Sequence, residues 1–265
     1  MADKLSEKDI ENINIESSEE YAVMPLRNTV LFPQQVIPIY IGREKSLKLI
    51  SDIELEKKKY IIVVAQEDGS IEDPNTEDLY SYGTLATVLK VFAMPDNSKS
   101  AIVQGIARVK ILDYLSKEPY FKAVASKVND DPILDELEID GITENFRKSF
   151  SDLIKVAPNL TEEHTGMLSN IKKANRLVDR AISLMTLSNQ EKQEILEEVN
   201  IKSRLEKANS IINRETQRIK LGEEIQTEVH DEIAKTQREY YLREQMKAIQ
   251  KELGEDEGTV ETKEL

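Results

Sequence analysis

Residues 84–112, TLATVLKVFAMPDNSKSAIVQGIARVKIL, contain the pattern that decides the fold of the first half of the chain. Short runs of β-branched and apolar residues occur at 84–92, 101–104 and 107–112. Between the first two runs stands the tetrapeptide Met-Pro-Asp-Asn, residues 94–97. Proline presets the backbone for a turn and asparagine tolerates the left-handed region, so the tetrapeptide predicts a turn. β-Branched residues suit a pleated, half-buried surface, so the flanking runs predict strands.

Similar runs of β-branched and apolar residues continue on both sides of this stretch. Further runs of this kind are found at Val36–Ile41, Tyr60–Ala65 and 120–128. Between the first and second of these, Leu47, Ile50 and Ile53 are spaced as on one face of a helix. The sequence therefore predicts one compact β unit over residues 21–130, with a single inserted helix.

After residue 131 the apolar period becomes helical. Thr143 is the predicted cap of a first helix that must end near Pro158, because proline has no backbone N–H to donate. Thr161 begins a second helix, residues 177–185 form a third, and Ser188 with Glu191 has the spacing of a capping box that opens a fourth. Residues 131–200 are therefore predicted to form a small helical bundle.

Residues 201–254 predict one long helix that only Gly222 interrupts. Its apolar positions begin with the four-three-four spacing of a coiled-coil seam and return later in a different register. The first set is Ile201, Leu205, Ala208 and Ile212, and the second is Leu242, Met246, Ile249 and Leu253. Because so sparse an apolar stripe does not stabilise a lone helix in water, we expect partner helices from other copies of the chain or from other domains. The assembly candidates are Tyr240, Tyr241, Leu242, Met246 and Ile249.

The composition limits the partners. With 36 Lys and Arg against 50 Asp and Glu, the formal charge of -14 disfavours nucleic acid and anionic membranes. The chain has no cysteine, which fits a reducing compartment, and no apolar run long enough to span a membrane. We expect a cytoplasmic protein with a flexible leader at residues 1–20 and a flexible tail at 255–265, because both segments are polar and charged.

The motifs of nucleotide and hydrolase chemistry are missing. No G-x-x-x-x-G-K-[ST] loop and no G-x-S-x-G elbow occurs, and His164 and His230 both lie in polar helical segments. The carboxylates are best explained as a solvated surface, although folding could still bring two of them together as an acid–base pair. We therefore expect no catalytic, cofactor-binding or metal-binding residue in these 265 residues.

Four patches, taken in order, resemble the N-terminal region of bacterial Lon-type ATP-dependent proteases. They are residues 24–33, MPLRNTVLFP, continuing to Pro38 and Gly42-Arg43; residues 82–86, YGTLA; residues 105–108, GIAR; and residues 237–254, QREYYLREQMKAIQKELG. The fourth is the most specific. Met246 stands where many members carry leucine, which is a volume-conserving difference on an apolar stripe.

The resemblance implies an α+β protein: a PUA-like β pseudo-barrel with one helix, then a helical bundle, then the long helix. Lon proteins continue into an AAA+ ATPase, which binds ATP and Mg, and a Ser-Lys peptidase, and act as homohexamers in stress response and protein quality control. They degrade misfolded and short-lived regulatory proteins. The region seen here would be non-catalytic, recognising unfolded or degron-bearing substrates and helping the hexamer assemble.

Three functions remain open at this point: substrate recognition with assembly, a purely structural spacer, and a free-standing regulator or enzyme. Exposed apolar residues on the β unit would favour the first over the second. The candidates, all near turn signals, are Leu31, Phe32, Tyr80 and Tyr82. Phe32, which precedes Pro33, also fits a packed strand-end residue. Arg27 and Arg43 also fit ion pairs with carboxylates of the same unit.

Overall fold

The computed structural model describes residues 10, 13, 15, 19–55 and 60–252. Within these residues, six strands form one sheet in the order β2-β5-β4-β3-β1-β6, and β5 also pairs with β6. The strands are β1 Glu20–Leu26, β2 Val36–Ile41, β3 Tyr60–Ala65, β4 Tyr82–Ala93, β5 Lys99–Ser116 and β6 Lys122–Lys127. The helices are α1 Glu44–Leu55, α2 Glu136–Ile154, α3 Glu162–Ser169, α4 Ala174–Leu184, α5 Asn189–Glu197 and α6 Ile201–Glu252.

The sheet closes on itself through the long strand β5. Its first half pairs with β2 and β4, its second half pairs with β6, and β6 pairs with β1. The parallel pair β1 and β3 needs a crossover connection, and that connection carries α1. Only β2 has a single neighbour among the described strands, so it is the edge strand. This arrangement gives the α+β class and the barrel-like β unit that the resemblance implies.

Two apolar clusters fill the β unit. One contains Leu49 and Ile50 of α1, and the other contains Tyr21, Ile62 and Val109. Ile10 and Ile15 belong to the segment predicted as a flexible leader. Both are buried in the second cluster, because burial removes their apolar side chains from water. These two residues correct that prediction locally; most of residues 1–20 lie outside the described residues.

The helix caps agree with the sequence at two of three places. Ser188 and Glu191 form the predicted capping box, with the Ser188 N–H donating to Glu191 at 3.0 Å, and Thr161 begins α3. Thr143 is not a cap. The cap of α2 is Asp135, whose side chain accepts from the Glu138 N–H at 3.0 Å, and Thr143 lies buried within the helix.

The long helix is continuous, and the contacts of the described chain divide it into two units between Asn213 and Arg214. In the first unit, the predicted coiled-coil seam is buried within its own chain, so that segment needs no partner helix; its members are Ile201, Leu205, Ala208 and Ile212. Residues 253–265, which include the predicted tail, lie outside the described residues. Among those described, no helix is long and apolar enough to cross a membrane.

Candidate functional site

The loop at residues 27–35 brings three of the sequence patches together. Thr84 Oγ1 donates a hydrogen bond to the Leu31 carbonyl at 2.5 Å. The Gln34 N–H donates to the Gly105 carbonyl, and the Gly105 N–H donates to the Gln35 carbonyl, both at 2.9 Å. A Cβ atom at position 105 would overlap the Phe32 carbonyl, so only glycine fits this close approach. These patch residues hold the loop on the sheet.

Leu31 and Phe32, two of the candidates for exposed substrate contacts, are buried, and Phe32 is packed as its position before Pro33 suggests. Only 2% of Leu31 and 1% of Phe32 is exposed, because the hydrogen-bonded loop turns both side chains into the protein. Tyr80 and Tyr82 are half-buried, and burial is the largest cause of the raised pKa of the Tyr80 hydroxyl. Their role as substrate contacts stays a prediction.

A buried polar joint links the sheet to the helices. Arg108 of β5 donates to Asp179 of α4 at 2.5 Å, and its Nε donates to the Leu196 carbonyl at 2.9 Å. Arg204 of α6 is fully buried, pairs with Asp130 and lies 3.7 Å from Asp179. One signal in the sequence could have found this joint: opposite charges stand inside apolar runs at positions 108 and 179.

The bundle also touches the second patch. Gln193 of α5 donates to the Tyr82 carbonyl at 3.0 Å, and Asn189 donates to the Arg27 carbonyl at 2.9 Å. Tyr82 is covered on one side by Lys110, whose Nζ lies 5.4 Å from the ring centroid. The first three patches of the resemblance therefore contribute mainly to this junction of sheet and helices.

One group of outward-facing apolar side chains lies on the edge strand and its neighbours. We call this area the β2 surface; it comprises Val36, Pro38, Tyr40, Phe92 and Ile102. Tyr40 of β2 is 66% exposed and Phe92 of β4 is 39% exposed, and both lie in register with Ser100 of β5 between them. Pro38 and Ile102 are paired two register positions away, on the same face. Alternate residues of a strand share a face, which places Val36, Pro38 and Tyr40 side by side.

The turn between β4 and β5 fixes one border of the β2 surface. Asp96 Oδ1 accepts from the Ser98 hydroxyl at 2.5 Å and from the Ser98 N–H at 3.1 Å. Its other oxygen accepts from the Tyr40 hydroxyl at 3.1 Å. These hydrogen bonds, that of the Ser98 hydroxyl first, lower the pKa of Asp96, so the carboxylate stays ionised and anchors the Tyr40 ring at its polar end.

A cleft of about 760 Å³ separates α1 from the loop at residues 27–29. Arg43 Nη2 donates to the amide oxygen of the buried Gln66 at 2.7 Å, and Arg27 reaches the Ile71 carbonyl at 3.5 Å. Burial, followed by repulsion from Arg27, lowers the pKa of Arg43. Both arginines thus bond neutral oxygens, and the acidic groups Glu72 and Asp73 act on Arg43 only at longer range.

The two histidines lie on helices α3 and α6. His164 is engaged in a capping box, where its Nδ1 accepts from the Thr161 N–H at 3.0 Å. His230 is exposed on α6. Among the described side chains, no cluster of three or more His, Cys, Asp and Glu residues could hold a metal ion.

Comparison with known proteins gives consistent matches. Residues 20–214 match the family model described as the ATP-dependent protease La (LON) substrate-binding domain. The chain is 41% identical over 245 residues to the Lon protease of Koribacter versatilis, covering 92% of this chain and 30% of that protein. It is 38% identical over 248 residues to the Lon protease of Dictyoglomus thermophilum, covering 93% and 31%. The chain thus spans about a third of the length of these curated relatives.

Two solved structures share the fold. The N-terminal domain of Mycobacterium avium complex Lon protease matches with a TM-score of 0.59 at 19% identity, covering 75% of this chain and 98% of that one. The Lon N-terminal domain protein from Xanthomonas campestris matches with a TM-score of 0.50 at 16% identity, covering 71% and 95%. At such identities the likeness concerns the fold alone.

Proposed function

The chain belongs to the family of LON substrate-binding domains, and from this premise we propose that it captures exposed apolar segments of unfolded or degron-bearing proteins on the β2 surface. In this proposal, it delivers them to an ATP-dependent protease of the cytoplasm. ATP, Mg and the peptidase chemistry would belong to other modules, and this part would contribute binding only. The exposed Tyr40 and Phe92 are the observation that supports the proposal.

The β2 surface has the chemistry of a permissive binding site. Folded proteins rarely leave adjacent aromatic and aliphatic side chains in water unless a partner covers them. Pro38 removes one backbone donor from the edge strand, which disfavours stable pairing with another strand. We therefore infer that substrates are held by their side chains. That mode accepts many sequences, as a recogniser of unfolded chains must.

The direct test measures retention of a reduced, alkylated and fluorescently labelled model protein. Burying one aromatic side chain contributes roughly 1.5 to 3 kcal/mol, so Tyr40→Ser with Phe92→Ser should weaken binding by at least about tenfold. The matched control is Leu112→Ser with Leu115→Ser, which removes two exposed apolar residues further along β5. It should bind as the unmodified protein does.

The spacer alternative rests on a separate observation: residues of the first three sequence patches hold the sheet and the helices together at their junction. Under that alternative the β2 surface would be incidental. Unchanged binding by the Tyr40 and Phe92 variant would favour the spacer and reject capture on this surface. A photo-crosslinker placed at Val36 should also react with the unfolded protein, whereas one at Leu112 should not.

We further propose that the second unit assembles with other copies. Its exposed apolar residues form two stripes; the first holds Leu221, Ile225, Val229 and Ile233, and the second holds Leu242, Met246 and Ile249. At about 100° per residue, the mean directions of the two stripes differ by about 110°. One two-stranded coil would cover only one of them, so this arrangement favours more than one partner helix. Tyr240 and Tyr241 are also exposed and would be covered by such partners.

A further inference from the structure

A second surface adjoins the β2 surface through Val36. It is a cleft of about 590 Å³ between the loop at residues 32–36 and helices α3 and α4. Its size falls within the usual range of ligand sites, about 300 to 1,000 Å³. Its basic lining residues are Lys172, Lys173, Arg176 and Arg180. We call it the basic cleft.

The charge of this cleft is opposite to that of the chain, which carries -14. The acidic residue in its lining, Asp179, is already engaged by Arg108 at 2.5 Å and Arg204 at 3.7 Å. It therefore leaves little negative charge for Lys172 and Arg180. The Arg180 guanidinium lies 3.2 Å from the thioether sulfur of Met167. A thioether is a weak acceptor, so the charge of Arg180 remains available to a better one.

The cleft is also apolar on one side. Val36 and Met167 are exposed, and Ile171 is half-buried beside them. Opposite, Arg176 faces the side-chain amide of Gln34, with Nε 2.9 Å from it. The Arg180 guanidinium, which among the described residues meets only a thioether sulfur, can bind a carboxylate with paired, charge-assisted hydrogen bonds. An apolar wall next to such groups fits a peptide better than a long polyanion, which the net charge of the chain would repel.

We propose that the basic cleft is a subsite for carboxylate side chains, so that the chain prefers apolar segments flanked by Asp or Glu. This inference rests on the proposed function, because the β2 surface would hold the apolar part of the same segment. Along a strand, Tyr40 and Val36 are separated by about 13 Å, so a short extended peptide can reach from the aromatic border into the cleft. One peptide would then be bound through its apolar segment on the β2 surface and through an acidic side chain in the basic cleft.

The test uses fluorescence anisotropy with labelled peptides that share one apolar segment and differ only in the residues attached to both of its ends: glutamates, glutamines or lysines. Two partly exposed ion pairs should make the glutamate peptide bind about fivefold tighter than the glutamine peptide, with the lysine peptide weakest. The preference should vanish near 1 M salt, where charges are screened beyond about 3 Å.

Removing charge from the cleft gives the second arm. Lys172→Gln with Arg180→Gln should reduce the preference for glutamate to less than about twofold without weakening the glutamine peptide. The matched control, Lys110→Gln with Lys117→Gln, removes two exposed lysines elsewhere in the same unit and should keep the preference. A preference that survives in the cleft variant, or is lost equally in the control, would overturn the assignment.

The outcomes separate the two proposals. If glutamate and glutamine peptides bind equally while Tyr40→Ser with Phe92→Ser weakens both, the basic cleft is not a subsite and the proposed function stands. If the unmodified protein binds none of the peptides and does not retain the unfolded protein, the proposed function fails and the charge preference fails with it.

Discussion

Replacing Asp179 with alanine tests the buried joint between the sheet and the helices. The Asp179 side chain is 6% exposed, as is that of its partner Arg108, and the Arg204 side chain behind it is 0% exposed. Removing one partner of a buried ion pair costs about 3 to 5 kcal/mol, because the remaining charge stays buried without compensation. Arg108 keeps the Leu196 carbonyl and Arg204 keeps Asp130, which places the expected loss near the lower end, at about 3 kcal/mol.

The free energy of unfolding should be measured by urea denaturation at neutral pH. Far-UV circular dichroism reports mainly the helices, and tyrosine fluorescence gives a second probe, since the chain has nine tyrosines and no tryptophan. Because the joint ties the sheet to the helices of the first unit, the cooperative transition of that unit should coincide by both probes in the unmodified protein. Separate transitions in the Asp179→Ala variant would mean that the joint also makes the first unit cooperative.

Two further variants sharpen the interpretation. Glu118→Ala breaks an exposed pair with Lys45, and should leave the free energy of unfolding unchanged within error. Arg108→Met with Asp179→Leu replaces the buried pair by apolar groups and should recover most of the loss, since no uncompensated charge remains at either position. If Asp179→Ala loses less than about 1 kcal/mol, water reaches the joint and the reasoning is refuted.

Three other predictions concern a buried tyrosine, two glycines and the second half of α6. Burial raises the pKa of Tyr114 from 10.0 to about 12, and its hydroxyl has no hydrogen-bond partner among the described residues. The unfolded chain therefore loses this proton at lower pH than the folded protein, so the free energy of unfolding should fall as pH rises from 10 towards 12. Tyr114→Phe should remove about 1.4 kcal/mol of that loss at pH 11, and a variant that melts in parallel with the unmodified protein at pH 7 and 11 would contradict this. Gly105→Ala should lower the free energy of unfolding by at least about 2 kcal/mol, because its Cβ would overlap backbone atoms. Gly222→Ala on α6, where nothing lies within 4 Å, should raise it by about 1 kcal/mol. Thermal melting of the two variants compares these effects. Leu242→Glu with Met246→Glu should abolish concentration-dependent protection of the second half of α6 in hydrogen exchange; protection at every concentration would reject the assembly role.

The strand pattern predicts that residues 21–128 fold independently, and the same joint affects this prediction. Without the helices, Arg108 would lose both Asp179 and the Leu196 carbonyl, and the Tyr82 carbonyl would lose Gln193. The two apolar clusters lie within the β unit and favour folding of the isolated segment. Autonomous folding thus stays a prediction, with lower stability than in the full chain.

The sequence by itself determined the local elements. Val36–Ile41 and Tyr60–Ala65 are strands at the predicted bounds, and the capping box at Ser188 opens α5. The turn at residues 94–97 separates β4 from β5 as predicted. Each depends on interactions between residues close in the chain: backbone preference, side-chain capping and apolar period. The long helix has the same origin, because no proline interrupts residues 201–252.

Only the tertiary structure decided which apolar residues face water. The strand VIPIYI is apolar on both of its faces, so alternation defines two sides and cannot say which one the protein covers. Leu31 and Phe32 were buried by hydrogen bonds to strands far along the chain, while Tyr40 and Phe92 stayed outside. The first seam of α6 was likewise covered within its own chain. Exposure depends on contacts between residues distant in sequence, and no local pattern contains them.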